Sequence, residues 1–419
     1  MQLYPTAETP TDTRRRNRFA VLSKLRDHGS LSKSDLVRLT NRTNTTIATI
    51  IEGLVAEGLV EEDSQSATSE VLRGRPASLY RLSADRWQFA GLQIASDSVT
   101  GVIMQLDGNI SASMHLAAPA ELDWQSVLTL TGDMLDTLIE QANISRSMLL
   151  GIGVALEGFV DTDAGLSNWM LFRTTWKDVP VRQYFEDRYA LPVIVDYRVY
   201  AATLAEAVYG AGRGVPDFAY LNVDTGVAVG LVASGNLVRD SQKLAGITGG
   251  LGHVLSTGSA TPCYCGNTGC LYNEITTHAL LTQLGDLMQL SQGYASDHYW
   301  QQRERSFDAL IEAAKDGEAL ALQLRGRFAQ NLGIAVAGTI QLYSSNMVIV
   351  GGAPIHFGGD EALEAARRSA RRLTILHPLF AHVKVVASQL APDPATVGAA
   401  TLVVQAVMEG PIVAPQLLR

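Results

Sequence analysis

Apolar residues recur at helical spacing in three short segments near the start of the chain. The first stripe is formed by Phe19, Val21, Leu22 and Leu25. Gly29 is placed to end this helix, and Ser32 or Ser34 can cap a second helix over the segment LSKSDLVRLT. A third helix is predicted after Asn41-Arg42, with an inward stripe of Ile47, Ile50, Ile51, Leu54 and Val55.

The pattern then changes to two strand-like pieces around a polar loop, EEDSQSATSEVLRGRPASLYRLS. Within it, Arg73-Gly74-Arg75-Pro76 has the form of a wing whose arginines enter a narrow, electronegative minor groove. Taken alone, the tetrapeptide is better explained as a surface turn. Its position directly after three short helices reverses that preference.

From Trp87 onward the pattern is that of strands and helices. Three β-rich runs, FAGLQIAS, VTGVIMQL and NISASMHLA, come first, with a turn at Asp107-Gly108-Asn109. A similar set, FAYLNVD, GVAVGLVAS and NLVRD, follows later. The repetition predicts a duplicated α/β body with two lobes and a cleft that binds a small molecule. We expect the helix VYAATLAEAVYGAG to pass between the lobes and MVIVGGAPI to form a buried strand ending in a glycine turn.

The composition is that of a globular protein, with 47% hydrophobic and 18% charged residues in a chain of 419. This length usually makes two or three domains. No apolar run follows the arginines near the N-terminus, so no signal peptide is expected. No segment approaches the roughly 18 continuous apolar residues of a membrane helix, so we expect a cytoplasmic protein without a membrane partner.

The net charge of −9 is unevenly distributed. Nine basic and two acidic residues lie between Arg14 and Ile50, so this segment carries +7 and the remainder −16. A basic segment joined to an acidic body suggests that only the first part binds a polyanion. The alternatives are a solvated basic face or a small helical bundle that binds no nucleic acid.

Short polar side chains at the exposed start of the third helix suit base edges in the major groove. The candidate DNA-binding residues are Arg15, Arg16, Arg42, Thr43, Asn44, Thr45, Thr46, Thr49, Arg73 and Arg75. Asn44 and Thr45 are assigned to bases. Arg73 and Arg75 are assigned to the minor groove, and the other arginines to phosphates. Because one short helix reads few base pairs, we expect a homodimer or tetramer on a pseudo-palindromic, double-stranded operator.

All three cysteines of the chain lie in GHVLSTGSATPCYCGNTGC, together with a histidine. An odd number of clustered thiols in a reducing compartment does not indicate disulfides. A catalytic thiol is the competing idea. Reactive cysteines do not usually occur in threes beside a histidine at ligand spacing.

The helical segment with its GRP loop, the two strand meanders and the sequence GHVLSTGSATPCYCGNTGCL together resemble the ROK family, which contains transcriptional repressors and sugar kinases. The resemblance extends from about Arg14 to about Glu409. Its most specific element is the pattern H-x9-C-x-C-x4-C, which implies a structural Zn(II) bound by His253, Cys263, Cys265 and Cys270. Independently, a Cys3His set suits a closed tetrahedral zinc site, and Gly266 and Gly269 allow a tight loop.

The resemblance implies an α/β chain in which a winged helix-turn-helix precedes a two-lobed, actin- and ribonuclease H-like body with a zinc loop. The expected domains are a disordered arm at 1–13, the DNA-binding domain at 14–84, a first lobe at 85–205 completed by a C-terminal helix at about 395–409, and a second lobe with the zinc loop at 206–394.

Compared with kinases of the family, the chain lacks residues of phosphoryl transfer. Gln93 stands where the phosphate loop has aspartate, and Arg198 stands at the general-base aspartate. Further sugar-contacting positions are changed to Tyr197, Tyr200, Gly250 and Tyr272. Because an arginine stays protonated, it cannot accept the proton of a sugar hydroxyl.

We therefore expect a regulator and not an enzyme: a repressor of catabolic or transport genes, controlled by a small-molecule effector. The candidate effector-binding residues are Arg173, Trp176, Tyr197, Arg198, Tyr200 and Tyr272. Two guanidinium groups facing one pocket need an anion, which suggests an acidic sugar derivative. In the alternative, these arginines pair with internal acids such as Glu157 or Asp196 and the pocket is closed. Two other functions are a sugar kinase with an appended DNA-binding domain and a regulator controlled by a protein partner.

Overall fold

The computed structural model describes residues 9–63, 78–240, 244–246, 250–256, 260–290, 299–300, 303, 305–373, 382–390 and 393–410. Its helices with described bounds are α1 (Pro10–His28), α2 (Lys33–Thr40), α3 (Asn44–Ala56), α4 (Trp124–Gln141), α5 (Val181–Tyr189), α6 (Arg198–Val208), α7 (Tyr272–Ile275), α8 (Thr277–Leu290), α9 (Phe307–Lys315), α10 (Ala319–Tyr343), α11 (Ala353–Leu373, interrupted at Gly359) and α12 (Pro394–Glu409).

The strands are β1 (Leu31–Ser32), β2 (Val60–Glu62), β3 (Leu79–Leu82), β4 (Gln88–Ile94), β5 (Ser98–Gln105), β6 (Ile110–Ala117), β7 (Leu149–Leu156), β8 (Phe159–Asp161), β9 (Leu166–Trp169), β10 (Lys177–Val179), β11 (Val193–Tyr197), β12 (Phe218–Val223), β13 (Val227–Ala233), β14 (Asn236–Val238), β15 (Leu244–Ala245), β16 (Met347–Gly351) and β17 (Lys384–Ala387).

By their contacts the residues form two units. The first takes the described residues within 1–157, 162–196 and 399–419, and the second takes those within 158–161 and 197–398. Residues 158–161 and 197–205, which the sequence placed in the first lobe, belong by their contacts to the second unit, and α6 packs on its sheet. A Cβ on Gly230 of β13 would lie 1.9 Å from Oγ1 of Thr203 on α6.

The first three helices begin and end at residues that dictate their bounds. Gly29 ends α1 with a φ of +76°, a conformation that costs glycine little. The Ser32 hydroxyl accepts from the Asp35 N–H at 3.1 Å and caps α2, while the Asp35 carboxylate accepts from the Ser32 N–H. The Thr43 hydroxyl caps α3 by accepting from the Thr46 N–H at 3.2 Å.

Two details of this segment differ from the sequence expectation. Helix α1 begins at Pro10, with Thr9 as its cap, so residues 10–13 are helical and not part of a disordered arm; residues 1–8 lie outside the described ranges. In α3, Val55 is 43% exposed instead of inward-facing. It lies in the last turn of the helix, one position beyond the buried Leu54.

A small antiparallel sheet with the order β1-β3-β2 accompanies the three helices. β2 pairs with β3 through Val60 and Leu82, and β1 pairs with β3 through Leu31 and Tyr80. The loop between β2 and β3 covers residues 64–77 and lies outside the described residues. The wing arginines Arg73 and Arg75 are therefore also outside them.

Each unit contains a five-stranded sheet, and the two sheets have the same strand order. The order is β11-β7-β4-β5-β6 in the first unit and β17-β16-β12-β13-β14 in the second. β4 pairs antiparallel with β5 and parallel with β7, as β12 does with β13 and β16. The duplicated α/β body expected from the two meanders is present.

Helices pack closely on these sheets. In the first unit, a Cβ on Gly153 of β7 would lie 1.7 Å from the Ala399 carbonyl oxygen of α12, so only glycine allows this approach. In the second unit, α10 buries Phe328, Leu332 and Val336 in the apolar core. Among the described helices, none combines the length and hydrophobicity that crossing a membrane requires.

Candidate functional site

The start of α3 presents short polar side chains at the surface. Asn44, Thr45 and Thr49 are exposed, whereas the apolar stripe of the helix faces inward. The Thr43 hydroxyl lies 2.9 Å from that of the half-buried Thr46. Thr43 and Thr46 thus contact each other at the helix end, and the side chains of Asn44, Thr45 and Thr49 are available to contact a ligand.

The predicted phosphate-contacting arginines differ in their surroundings. Arg15 and Arg16 are exposed on α1. Arg42 is half-buried, and its Nε donates to Oδ1 of Asn17 at 2.6 Å. This bond fixes Arg42 to α1, so its guanidinium is held beside the start of α3.

His253, Cys263, Cys265 and Cys270 come together in the second unit, with all ligand atoms within 4.8 Å of one another. The Sγ atoms of Cys265 and Cys270 are 3.6 Å apart, and Sγ of Cys263 lies 3.7 Å from Nδ1 of His253. Around a tetrahedral metal with sulfur ligands at about 2.3 Å, sulfur atoms are about 3.8 Å apart. The four side chains therefore form a set that can hold a metal ion.

The loop reaches this arrangement through two tight turns. The Cys263 N–H donates to the Asn267 carbonyl at 2.8 Å, which closes the turn that contains Cys265. Gly266 and Gly269 have φ values of +92° and +72°, in the region that favours glycine. These two residues let thiols five positions apart in the sequence meet.

An aromatic cluster surrounds the histidine. Nε2 of His253 lies 3.1 Å from the Tyr264 hydroxyl, and the two rings meet edge to face at 5.1 Å. The buried Tyr272 ring stacks on the imidazole at 6.1 Å and 18°. When Nδ1 binds a metal together with the thiols, Nε2 carries the ring proton and can donate to the Tyr264 hydroxyl.

The ionisation of the cluster also fits a cation. Burial and the neighbouring thiols raise the pKa of Cys270 to about 12, whereas the Asn267 N–H lowers the pKa of Cys265. Burial lowers the pKa of His253, which keeps the imidazole neutral. Three crowded thiols become thiolates together only beside a positive charge, and a neutral imidazole is the form that binds metals.

Arg198, predicted to face an effector, is buried at the start of α6 in the second unit. Its Nη2 donates to Oδ2 of Asp224 at 2.5 Å, and its Nη1 donates to Thr225 at 3.3 Å. Asp224 follows β12 and also accepts from the Thr277 hydroxyl at 3.4 Å. The guanidinium therefore has an internal acid as partner, although not one that the sequence analysis named.

Tyr197 and Tyr200, also in the second unit, are buried and meet edge to face at 5.5 Å. The Tyr200 hydroxyl accepts from the Asp240 N–H at 3.1 Å, and the Arg239 guanidinium lies 5.4 Å from the centre of its ring. Burial raises the pKa of Tyr200, so its hydroxyl stays protonated.

Arg173 and Trp176, the other two predicted effector residues, are buried in the first unit. Nη2 of Arg173 donates to the Ala118 carbonyl at 2.6 Å, and its Nη1 lies 3.3 Å from the carbonyls of Pro119 and Leu122. The indole N–H of Trp176 donates to Ser167 at 2.7 Å. The Nη groups of Arg173 and the indole of Trp176 thus have internal acceptors, whereas the buried Nε of Arg173 has no hydrogen-bond partner.

Carboxylates occupy the turn region after the first strand of each sheet. After β4, the Ser96 N–H donates to Oε2 of Glu157 at 2.9 Å, and Gln93 on β4 is buried. After β12, the equivalent position carries Asp224. Backbone N–H groups of such turns are where phosphates bind, and a carboxylate at the same place repels them.

Sequence reasoning assigned no role to Arg18, Glu57 or Tyr264. The Arg18 and Glu57 side chains form an ion pair and are 14% and 18% exposed. These residues lie 39 positions apart, so no local pattern indicates their contact. The position of Tyr264 between two cysteines of the ligand set is the one sequence feature that could have indicated a role for it.

Two sheets of the same strand order, with a ligand-forming loop in the second unit, place the protein in a class of duplicated α/β proteins of the sugar-kinase type. A profile of the ROK family matches residues 89–406. The chain belongs to the ROK family.

Similar proteins include both regulators and enzymes. The chain is 25% identical over 398 residues to the xylose repressor of Caldicellulosiruptor bescii, covering 94% of this chain and 97% of the repressor. It is 27% identical over 329 residues to the glucokinase of Halalkalibacterium halodurans, covering 76% of this chain and 92% of the glucokinase. Among solved structures, a ROK family transcriptional regulator, a homologue of the Escherichia coli MLC protein, shares the fold with a TM-score of 0.78 at 23% identity, over 95% of this chain and 98% of that chain.

Proposed function

We propose that the protein is a DNA-binding transcriptional regulator in which α3 is the recognition helix of a winged helix-turn-helix. The observation that carries this proposal is the exposed face formed by Asn44, Thr45 and Thr49, in a segment that carries +7 between Arg14 and Ile50. In this motif the first residues of the second helix contact base edges in the major groove. The β2–β3 hairpin supplies the wing.

The extent of the similarity supports the same proposal. The repressor match covers 94% of the chain and the glucokinase match 76%. The difference corresponds in length to the part of the chain that precedes residue 89, where the family profile begins. The sugar-related names of the relatives support a repressor of catabolic or transport genes, acting in the cytoplasm, where its operator is.

The DNA contacts divide by chemistry. Asn44 and Thr45 read bases, Arg15, Arg16 and Arg42 bind phosphates, and Arg73 and Arg75 enter the minor groove. A homodimer or tetramer places two α3 helices on half-sites about 34–36 Å apart, or a multiple of that distance. The test is selection of bound sequences from random double-stranded DNA by the full-length protein. An enriched pseudo-palindrome supports the proposal, and recovery of unenriched DNA refutes it.

We propose further that His253, Cys263, Cys265 and Cys270 hold a structural Zn(II). A Cys3His set leaves no open coordination position, so the ion closes the loop and takes no part in a reaction. The sulfur separations near those of a tetrahedral site support this assignment.

We also propose that the body binds a small-molecule effector and transfers no phosphate. Arg198 at the base position and the carboxylates Glu157 and Asp224 in the two turn regions support the absence of kinase activity. Because Arg173 and Arg198 have internal acceptors, an acidic effector requires a conformation in which Asp224 releases Arg198. Binding of a neutral sugar does not require this change of conformation.

A thermal-shift screen of neutral sugars against acidic metabolites, followed by Arg198→Ala on any hit, separates these cases. Loss of the shift in the variant supports the acidic effector, and an unchanged neutral-sugar shift refutes it. If no metabolite in the screen stabilises the protein or releases it from its operator, control by a protein partner is favoured.

A further inference from the structure

The Arg18 guanidinium joins two helices of the first unit to a third. On one side its Nη1 donates to Oε1 of Glu57 at 2.5 Å, and its Nη2 donates to Oε2 of the same carboxylate. On the other side its Nε and Nη2 donate to the carbonyls of Met408 and Val407, each at 3.2 Å. A bidentate pair of this kind fixes orientation as well as distance.

The partner carbonyls belong to the end of α12. The last four carbonyls of a helix lack their usual intrahelical donors and the helix end is partially negative, so a guanidinium is favoured there. The Val407 carbonyl also accepts from the Gly410 N–H at 3.2 Å. Val403, Val407 and Met408 are buried, and α12 packs against β7 at Gly153. Arg18 is therefore attached to a helix that is embedded in the first unit's core.

Glu57 follows directly after α3, and Gly58 after it turns with a φ of +70°. A second arginine, Arg86, packs on this turn: a Cβ on Gly58 would lie 2.5 Å from its Cζ. The end of α3 that is opposite to Asn44 is thus held from two sides. Because α3 is held at this end, the exposed side chains at its other end keep one orientation.

We propose that Arg18 is a positioning residue, which ties the recognition helix α3 through Glu57 to the end of α12 and so sets the half-site spacing that the assembled protein accepts. This inference rests on the proposed function. Without the tie, α3 and the other N-terminal helices are held to the rest of the first unit mainly by the chain segment between β3 and β4, and they can swing relative to α12. Each copy then still reads its half-site, but the distance between two copies is no longer defined.

The experiment uses full-length protein and the selected pseudo-palindrome, with its two half-sites also moved apart in steps up to half a helical turn, about five base pairs. For the wild type we expect a steep fall in affinity away from one spacing. For Arg18→Met and Glu57→Gln we expect the ratio between the best and the half-turn spacing to fall about tenfold or more. Base preference within each half-site stays unchanged.

Two features separate positioning from charge or folding effects. Glu57→Gln weakens the tie, because it removes the charge and one acceptor oxygen of the bidentate pair, while it makes the segment more positive, so phosphate attraction cannot explain a shared outcome. Arg14→Met, at an exposed position one turn earlier on α1, removes a charge and should weaken all spacings alike. Because Arg18 and Glu57 act as a pair, the double variant should resemble the single variants instead of adding their effects.

The outcomes distinguish a failure of the proposed function from a failure of the positioning role. If the wild type selects no sequence, the proposed function fails. If it selects an operator but accepts all spacings, or if both variants keep the wild-type spacing profile, the positioning role is overturned. Circular dichroism and Arg18→Lys, which keeps the charge and one bond, control for unfolding. A folded Arg18→Lys with intermediate spacing selectivity supports the proposal, and a folded Arg18→Met that keeps the wild-type spacing selectivity contradicts it.

Discussion

At the residue scale, the metal cluster depends on contacts beyond its four ligands. Tyr264 lies between two ligand cysteines, and its hydroxyl is 3.1 Å from Nε2 of His253. This contact holds the imidazole with Nδ1 towards the thiols, as second partners of metal-bound histidines commonly do. A tyrosine in the loop is thus placed to orient a ligand of the proposed metal without binding the metal itself.

Protein purified without added metal should contain about one zinc per chain, measured by elemental analysis, because the set forms a closed tetrahedral site. Tyr264→Phe keeps the ring but removes the hydroxyl. We expect about tenfold weaker zinc binding, measured by competition with a chelator. Tyr299→Phe, whose hydroxyl bonds Asp316 away from the cluster, should not change it. Absence of zinc, together with full stability of Cys265→Ser, would refute the metal assignment.

Substitutions on the exposed faces of α3 and α1 should change DNA binding in two different ways. Asn44→Ala should change which sequences are selected, because an amide that pairs with a base carries about 1–3 kcal/mol of discrimination. Arg16→Ala should weaken all sequences alike and reduce the salt dependence by about one unit of slope. Binding measured against several sequences and salt concentrations tests both. A uniform loss in both variants would contradict the base-reading role of Asn44.

At the element scale, small residues decide which helices can reach the sheets. Gly153 lets α12 lie directly on β7, since a Cβ there would be 1.7 Å from the Ala399 carbonyl oxygen. Caps decide where the short N-terminal helices start, as Ser32 does for α2. Packing therefore fixes α12 and the Thr43 cap fixes the start of α3, and these are the two helices that Arg18 connects.

Gly153→Ala should destabilise the protein by about 3 kcal/mol or more, because the added methyl overlaps main-chain atoms that cannot move aside cheaply. The matched control is Gly326→Ala in α10, an exposed helical position with no atom within 4 Å of the new Cβ. This control should gain about 0.5–1 kcal/mol from helix propensity. Chemical denaturation of the two variants measures both. Equal effects would show that the approach of α12 is not tight.

Removal of the α2 cap should have a smaller effect. Ser32→Ala loses the hydroxyl that accepts from the Asp35 N–H, at a cost of about 1 kcal/mol. Thermal unfolding detects this loss, and Ser32→Thr, which keeps an acceptor, should retain most of the stability. A wild-type unfolding curve for Ser32→Ala would contradict the capping role.

At the scale of the whole molecule, the two duplicated sheets each have a carboxylate beside the turn that follows β4 or β12. The Ser96 N–H after β4 donates to Glu157, and Asp224 after β12 pairs with Arg198. These contacts support the proposal that the body binds an effector and transfers no phosphate.

Incubation with ATP, Mg²⁺ and glucose, xylose or N-acetylglucosamine should yield no sugar phosphate above the background without protein, because Arg198 stands at the position of the general base and stays protonated. The Arg198→Asp variant, which restores a carboxylate, should remain inactive because Asp224 and Glu157 still repel phosphate. Product detection by mass spectrometry tests this. Turnover by the wild type would overturn the proposal that the body is not an enzyme.

The sequence by itself determined the local features: the apolar stripes of the first helices, the two repeated strand meanders and the ligand pattern from His253 to Cys270. These follow from periodicity, glycine placement and donor chemistry, all of which act over a few residues. The duplicated sheets and the four clustered ligands agree with it. The same reasoning placed residues 158–161 and 197–205 with the first lobe and Val55 inside, whereas the contacts put these residues in the second unit and Val55 at the surface, because only packing decides which neighbours an element has.

Tertiary structure alone decided the partners of the charged groups. A buried guanidinium needs acceptors, and these come from residues that are distant in the sequence. They are Asp224 for Arg198, carbonyls of residues 118–122 for Arg173, and Glu57 with the end of α12 for Arg18. Such pairs join residues from 26 to 390 positions apart, and no local pattern encodes them. Charge compensation in a low-dielectric interior is therefore a property of the fold, although the need for it can be inferred from the sequence.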